Sequence, residues 1–296
     1  MRVLVIINKW WECDPALAAM LNDNTRPRNS PWPDDLKPAR PRPEITKAQN
    51  CDPVPRATFR YRTLTAEVWC ISDLLDGLPP NLQSSSEIKY ERLGAIFEGD
   101  KPDLVIAVGT ASTPDSGVNC NGGVAVGTGI FMHNGCPNGA NQDSNLNLPI
   151  FDQLIPSTIA LPAFERIQRM DVTSALNRFL PVPLNPSPSV DVSIEFGAVA
   201  LGTINVTDPK DYAAKDLLTV QAFREHVGTG VGVSLETTHG LIRVRAGESQ
   251  FVFVSGIVNR FGRFGTDVAP RADAQNTAGA HNSGVVVTWM LSSLDQ

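Results

Sequence analysis

The chain has 296 residues, of which 42% are hydrophobic, and this is enough to bury the core of a large α/β domain. The formal net charge of −6 provides no basic field for a polyanion, which argues against a nucleic-acid partner and favours a small ligand. The apolar runs are far shorter than a membrane span of roughly 20 residues, and the chain starts on a strand-like run rather than a signal peptide, so we expect a cytoplasmic protein with no membrane partner.

Six short apolar runs rich in Val and Ile predict the strands of a sheet. Runs that are apolar without alternation are typical of strands covered on both faces. In chain order, the predicted strands cover residues 2–7, 66–71, 103–109, 197–204, 231–236 and 251–258.

Helical patterns alternate with these strands. Asp14 and Pro15 form an amino-terminal cap followed by a first-turn proline, and Ser84 with Glu87 forms a capping-box pattern. The alternation predicts a three-layer α/β/α fold with a central mixed sheet. The predicted helices cover residues 14–23, 84–97, 208–226 and 284–294.

A proline-rich stretch at about 24–58 interrupts the alternation. It contains eight prolines and five arginines, a composition that predicts an extended, irregular basic insertion at the surface rather than a packed element. We therefore expect a single domain over residues 1–296 that carries this insertion.

The spacing of cysteines and histidines indicates neither a metal site nor a disulfide framework. The five cysteines include no CxxC pair, and the four histidines are scattered along the chain. We expect reduced thiols, no metal and no cofactor.

Four motifs carry the functional signal, because ligands of open α/β sheets bind beyond the carboxyl ends of the strands. They are RVLVIINKWWECDPALAAML (2–21), KPDLVIAVGTAS (101–112), VGVSLETTHG (231–240) and FVFVSGIVN (251–259). Their order resembles the nucleoside phosphorylase and nucleosidase superfamily, which includes purine nucleoside phosphorylases and methylthioadenosine nucleosidases. The resemblance covers most of the chain outside the proline-rich stretch. It implies a nucleoside phosphorylase-like fold, cleavage of a purine nucleoside and a trimeric or hexameric homo-oligomer.

Glu236 resembles the ribose-binding acid of that superfamily. Cleavage of an N-glycosidic bond builds positive charge on the ribose, so a carboxylate that holds the sugar hydroxyls also stabilises the transition state. The alternative is a carboxylate that caps the helix beginning at Thr237. His133 is a second candidate for contact with sugar or phosphate, or else a histidine in a turn at a strand end.

Asn259 stands where the resembling nucleosidases have an Asp that protonates the leaving base. An amide donates only through its NH₂ group, which excludes general acid catalysis by this residue. Trimeric phosphorylases of the same superfamily use Asn here with 6-oxopurines. The resemblance therefore points to inosine- or guanosine-like substrates or to lost activity, and the alternative is an Asn that satisfies the backbone of a turn.

Two acids near the amino terminus are candidates to position a water nucleophile. Glu12 resembles the nucleosidase acid with this role, and Asp14 is the alternative if the register is shifted. Both residues also fit the first turn of a helix, where carboxylates favour the helix dipole.

Phosphate is the other nucleophile used in the superfamily. The hexameric phosphorylases have an Arg where this chain has Ala107, and their glycine-rich phosphate turn is replaced by NKWWECD. Gly109 and Thr110 would line the phosphate or water site, and Arg60 and Arg62 are candidates to supply positive charge, if they are not simply at a solvated edge.

The base would contact Asn205 at the end of LGTIN, and Trp10, Trp11 or Tyr212 would stack on it unless these aromatics belong to the core. Taken together, the motifs predict an enzyme, an N-ribosyl hydrolase or pentosyltransferase that acts on a purine nucleoside, with hydrolysis favoured over phosphorolysis. The alternative is a non-catalytic nucleoside or nucleobase binding protein on the same fold.

Overall fold

The computed structural model defines twelve strands in one sheet over the described part of the chain. The described residues are 1–28, 30, 32–40, 53–114, 122–134, 146, 148, 150–155, 165–166, 171–182, 184, 192–204, 212–229, 233–236, 238–261 and 272–295. The strands are β1 (Arg2–Ile7), β2 (Asp35–Lys37), β3 (Ala57–Arg60), β4 (Thr65–Cys70), β5 (Leu104–Thr113), β6 (Val124–Gly127), β7 (Gly129–Asn134), β8 (Leu154–Ile155), β9 (Ile194–Phe196), β10 (Val199–Ile204), β11 (Val233–Leu235) and β12 (Gln250–Arg260).

Helices flank this sheet. They are α1 (Trp10–Leu21), α2 (Ile71–Leu74), α3 (Pro80–Ser84), α4 (Ser86–Leu93), α5 (Tyr212–His226), α6 (His239–Ala246) and α7 (Ala272–Leu294). Short 3-10 turns cover Asp23–Thr25, Gly94–Phe97 and Val172–Ala175. Within the described ranges, no helix has the length and apolar character needed to cross a membrane.

The sheet is mixed and branches at β5. Its main path runs β2-β3-β4-β1-β5-β11-β10-β7-β8, and β12 joins β5 to β6, which pairs in turn with β9. Strand β5 is parallel to β1 and β12 but meets β11 in an antiparallel pairing near its carboxyl end, where Ser112 lies opposite Leu235. The ends of β1, β5, β11 and β12 are therefore brought close together.

Strand β1 shows why three layers form. Its side chains point alternately to the two faces of the sheet, so both faces need an apolar cover. Val3, Val5 and Ile7 pack with α1 and α7 on one face. Leu4 and Ile6 pack with α4 and α6 on the other. A third cluster joins β7 and β10 to α5. The three-layer α/β/α fold with a mixed sheet is confirmed.

The six predicted strands are all present, as β1, β4, β5, β10, β11 and β12, with ends that differ from the prediction by up to four residues. The closing helix predicted from residue 284 begins at Ala272 instead. Its first turns carry Gln, Asn, His and small residues, and this polar composition hides a helix that packs against β12 and α1.

Two predicted helix starts are wrong. Helix α1 begins at Trp10, so Asp14 is not its cap and Pro15 lies inside the helix. The α-helix after residue 84 is capped by Ser85, whose hydroxyl accepts the backbone N–H three residues later, whereas Ser84 ends the preceding helix. Cap patterns in sequence place a helix start to within a few residues only, because neighbouring polar residues offer the same hydrogen bonds.

The described flanks of the proline-rich stretch are packed, although residues 41–52 lie outside the described part. Strands β2 and β3 form an antiparallel ribbon at the edge of the sheet. Arg26 is buried, donates to the carbonyl of Met20 and stacks on Trp32. Arg56 is buried against Asp73. For these flanks, the prediction of an irregular unpacked segment is wrong, because the arginines are neutralised or stacked.

Candidate functional site

A polar site lies where the carboxyl ends of β1, β5 and β11 meet. Asn8 follows β1, Glu12 lies in the first turn of α1, and Glu236 follows β11. Gly109 of β5 lies between the two acids, since a Cβ atom placed on it would be 3.4 Å from Cγ of Glu236 and 3.5 Å from Oε1 of Glu12. A methyl group at this position would therefore be in van der Waals contact with both acids.

The carboxylate of Glu12 accepts hydrogen bonds from the turn between β1 and α1 and from β5. Its Oε1 atom accepts hydrogen bonds from the backbone N–H of Thr110 at 2.8 Å and from the Thr110 hydroxyl at 2.7 Å. Its Oε2 atom accepts the backbone N–H of Lys9 at 2.9 Å. Burial, reinforced by the nearby charge of Glu236, raises the pKa of Glu12 from 4.5 to about 7. A carboxylate with this pKa can accept a proton near neutral pH.

The two carboxylate oxygens of Glu236 have different hydrogen-bond partners. Its Oε2 atom accepts the backbone N–H groups of Thr238 at 2.5 Å and His239 at 2.7 Å, and so caps α6. Among the described residues, its Oε1 atom receives one hydrogen bond, from Nδ2 of Asn8 at 3.2 Å. The capping alternative is therefore correct for one oxygen, although the helix begins at His239 rather than at Thr237, and the other oxygen is able to accept further hydrogen bonds.

Asn259 is brought to the same end of the sheet by an irregularity in β12. The pairing of β12 with β5 shifts between Ile257 and Asn259, so that Asn259 lies opposite Ser112. Its Oδ1 atom accepts from the Ser112 hydroxyl at 3.1 Å, and its Nδ2 atom donates to the carbonyl of Arg260 at 3.1 Å. Side chains two residues apart on a strand share a face, so Ser112 and Thr110 direct Asn259 and Glu12 to the same face of β5.

Two residues at this site, Lys89 and His239, are not predicted from the sequence. Lys89 of α4 is buried, and burial lowers its pKa from 10.5 to about 8, although the charges of Glu236 and Glu12 oppose that shift. His239 places its ring beside Gly109 and its Nε2 atom 2.9 Å from the hydroxyl of Ser255. Only His239 had a signal, since it belongs to the same motif as Glu236. The sequence around Lys89 does not distinguish it from a solvent-exposed lysine on an amphipathic helix.

The structure does not bring the other charged candidates to the site. The carboxylate of Asp14 is mostly exposed and pairs with Nη1 of Arg56 at 2.6 Å. Arg60 lies level with the amino-terminal end of β1, opposite to the end that carries Glu12. Arg62 lies 3.9 Å from Asp295 at the end of the chain. Elsewhere in the described ranges, no three His, Cys, Asp or Glu side chains are grouped in a way that would hold a metal ion.

The remaining candidates are separate or outside the described residues. Trp11 is about half exposed on α1. His133 is the penultimate residue of β7, and its Nδ1 atom lies 2.7 Å from Oδ1 of Asp152. Asn205 lies outside the described residues. Tyr212 is the first residue of α5, and its side chain is not among the described ones. The base contacts predicted for Asn205, Trp11 and Tyr212 stay predictions.

No protein-family model and no curated protein matches this sequence. Solved structures match over nearly the whole chain. The S-adenosylhomocysteine nucleosidase of Streptococcus pyogenes, in complex with 5-methylthiotubericidin, is 12% identical with a TM-score of 0.55, and the match covers 99% of this chain and 97% of that one. The 5'-methylthioadenosine/S-adenosylhomocysteine nucleosidase of Colwellia psychrerythraea, in complex with adenine, is 13% identical with a TM-score of 0.57 over 99% and 96% of the two chains.

A uridine phosphorylase of the oomycete Phytophthora capsici is similar to the same extent. It is 13% identical with a TM-score of 0.55, and the match covers 99% of this chain and 90% of that one. Identities this low establish a shared architecture and leave the chemistry to be argued from the site. The chain shares the α/β fold of these nucleosidases and of this uridine phosphorylase.

Proposed function

We propose that this protein hydrolyses the N-glycosidic bond of a purine nucleoside. The observation that carries the proposal is the pair of buried carboxylates on either side of Gly109, one of which has a pKa of about 7. The enzymes of similar fold include nucleosidases whose structures contain adenine or a nucleoside analogue, which supports a nucleoside as the ligand.

Glu236 and Glu12 divide the chemistry. The Oε1 atom of Glu236 accepts hydrogen bonds from ribose hydroxyls and stabilises the positive charge that develops on the sugar as the bond breaks. Glu12, in its ionised form, accepts a proton from the attacking water. A pKa near the working pH suits this task because the group is then both available and basic enough.

Asn259 supports a 6-oxopurine as the leaving base. The departing base gains electron density on its ring nitrogens, and an amide NH₂ group can donate a hydrogen bond to it without transferring a proton. Nδ2 of Asn259 donates to the carbonyl of Arg260, and a hydrogen bond to the base would replace that bond. Because an amide cannot act as a general acid, the alternative is a non-catalytic protein that binds the nucleoside or nucleobase.

Phosphorolysis is the second candidate, and Lys89 is the observation that favours it. Ala107 offers no charge, and Arg60 and Arg62 lie away from the site. Lys89, however, is a buried cation within electrostatic reach of Glu12 and Glu236. The usual ligands of a tetrahedral dianion are arginine side chains that donate two parallel hydrogen bonds. A single ammonium group binds such a dianion less strongly, so we favour water as the nucleophile.

Product analysis separates the candidates. Inosine, guanosine and adenosine are incubated with the protein in phosphate-free buffer and then with added phosphate, and the sugar products are identified. Free ribose without phosphate is the expected result, with inosine or guanosine preferred. Ribose 1-phosphate that forms only with phosphate would establish phosphorolysis, and binding without turnover would establish the non-catalytic protein. A trimeric or hexameric assembly and a cytoplasmic location stay predictions, testable by light scattering and by fractionation.

A further inference from the structure

Three buried polar side chains at the candidate site, those of Glu236, His239 and Ser255, contact one another in a row. Oε2 of Glu236 lies 3.2 Å from Nδ1 of His239, and Nε2 of the same ring lies 2.9 Å from the hydroxyl of Ser255. All three residues are at most 5% exposed. The contact between Glu236 and Nδ1 is a close approach rather than a well-aligned hydrogen bond, whereas the contact with Ser255 has good geometry.

The contacts of the His239 ring favour one of its two neutral tautomers. A neutral imidazole has one N–H donor and one acceptor nitrogen, and burial lowers the pKa of His239, which favours the neutral ring. A bare Nδ1 lone pair 3.2 Å from a carboxylate oxygen would be repulsive. The proton therefore belongs on Nδ1, and the Ser255 hydroxyl donates to Nε2.

We propose that Ser255 and His239 are positioning residues for Glu236. The Ser255 hydroxyl fixes the ring so that Nδ1–H faces Oε2 of Glu236, and this holds the carboxylate with Oε1 directed to the ligand. The proposal rests on the proposed function for the role of Glu236, but the tautomer itself does not depend on any activity.

Other charged groups also act on Glu236 and enter the test. Glu12 interacts with it electrostatically from α1 as a like charge, and Lys89 does so from α4 as an opposite charge. Neither group contacts Ser255 in the described part of the structure. Removal of the Ser255 hydroxyl therefore changes the support from His239 and leaves both charges in place.

The matched pair of variants is Ser255→Ala and Ser234→Ala. Ser234 is also a fully buried strand serine near Glu236, and its hydroxyl has no hydrogen-bond partner among the described residues. Both variants remove one buried oxygen, so they have similar effects on packing. We expect Ser255→Ala to lower kcat/KM about tenfold, mainly through a higher KM, because Glu236 is then less firmly directed to the ribose. Ser234→Ala should leave both KM and kcat near their wild-type values.

Long-range ¹H–¹⁵N correlation spectra of ¹⁵N-histidine protein provide the second measurement, and the retained amide spectrum shows that each variant is folded. The wild type should show His239 protonated on Nδ1, and Ser255→Ala should shift the Nε2 resonance because that nitrogen loses its hydrogen-bond donor. A wild-type ring protonated on Nε2 would overturn the proposal, as would a Ser255→Ala variant whose ring-nitrogen resonances are unchanged. If the wild type cleaves no nucleoside, the proposed function fails, while the spectra still decide whether Ser255 orients His239.

Discussion

Replacement of Glu12 by Gln separates the catalytic from the structural contribution of this buried acid. The amide oxygen can keep both hydrogen bonds from Thr110, whereas the amide NH₂ group then faces the backbone N–H of Lys9 and loses that bond. The variant has no group to accept a proton from water. We expect kcat/KM for hydrolysis to fall by about 10²- to 10⁴-fold, the usual contribution of a general base.

The same substitution should stabilise the fold at alkaline pH. The pKa of Glu12 is higher in the folded state, about 7, than its ordinary value of 4.5. The native protein therefore binds more protons than the unfolded chain between these values, and stability falls as pH rises through that window. The full difference amounts to roughly 3 kcal/mol above pH 7. The lost hydrogen bond at Lys9 subtracts about 1 kcal/mol, which leaves a net gain of about 2 kcal/mol.

Urea unfolding at pH 5 and pH 8 checks this difference, with nucleoside cleavage measured on the same samples. At pH 5 the wild-type acid is protonated, so the gain should disappear or reverse. Wild-type activity should rise between pH 6 and pH 8 as Glu12 ionises. Asp14→Asn is the control, because Asp14 is exposed and away from the site. A Glu12→Gln variant that keeps wild-type activity, or that is less stable at pH 8, would refute the reasoning.

Three further changes test other parts of the structure. Glu236→Ala should reduce transition-state binding by on the order of 2 to 4 kcal/mol, and unchanged turnover by a folded variant would contradict its ribose role. Asn259→Asp should raise the activity ratio of adenosine to inosine, since an acid can protonate the base, and a lower ratio would count against the assignment. Arg56→Met leaves the buried Asp73 carboxylate without its cationic partner, although Nε1 of Trp10 still donates to it, so the free energy of unfolding should fall by about 3 to 5 kcal/mol in urea titrations, and a loss near zero would show that water reaches Asp73.

Local patterns in the sequence were sufficient for the sheet and for part of the site. Strands covered on both faces must be continuously apolar, so runs such as residues 2–7 and 103–109 are visible without any tertiary information. Polar residues directly after such runs must lie at a carboxyl edge. This is why the positions of Glu236, Asn259 and Glu12 mark them as candidates, and why the motif order indicates the fold.

Tertiary structure decided which of these residues meet. The choice between Glu12 and Asp14 depends on where α1 begins and on Thr110, which is 98 residues away from Glu12 along the chain. Lys89 reaches the site only because α4 packs beside α6, and no local pattern marks it. Burial of Arg56 likewise requires Asp73 as its partner. The hydrophobic periodicity of a segment indicates on which side of its own helix or strand a residue lies. Burial and charge pairing depend instead on contacts between elements that are far apart in the sequence.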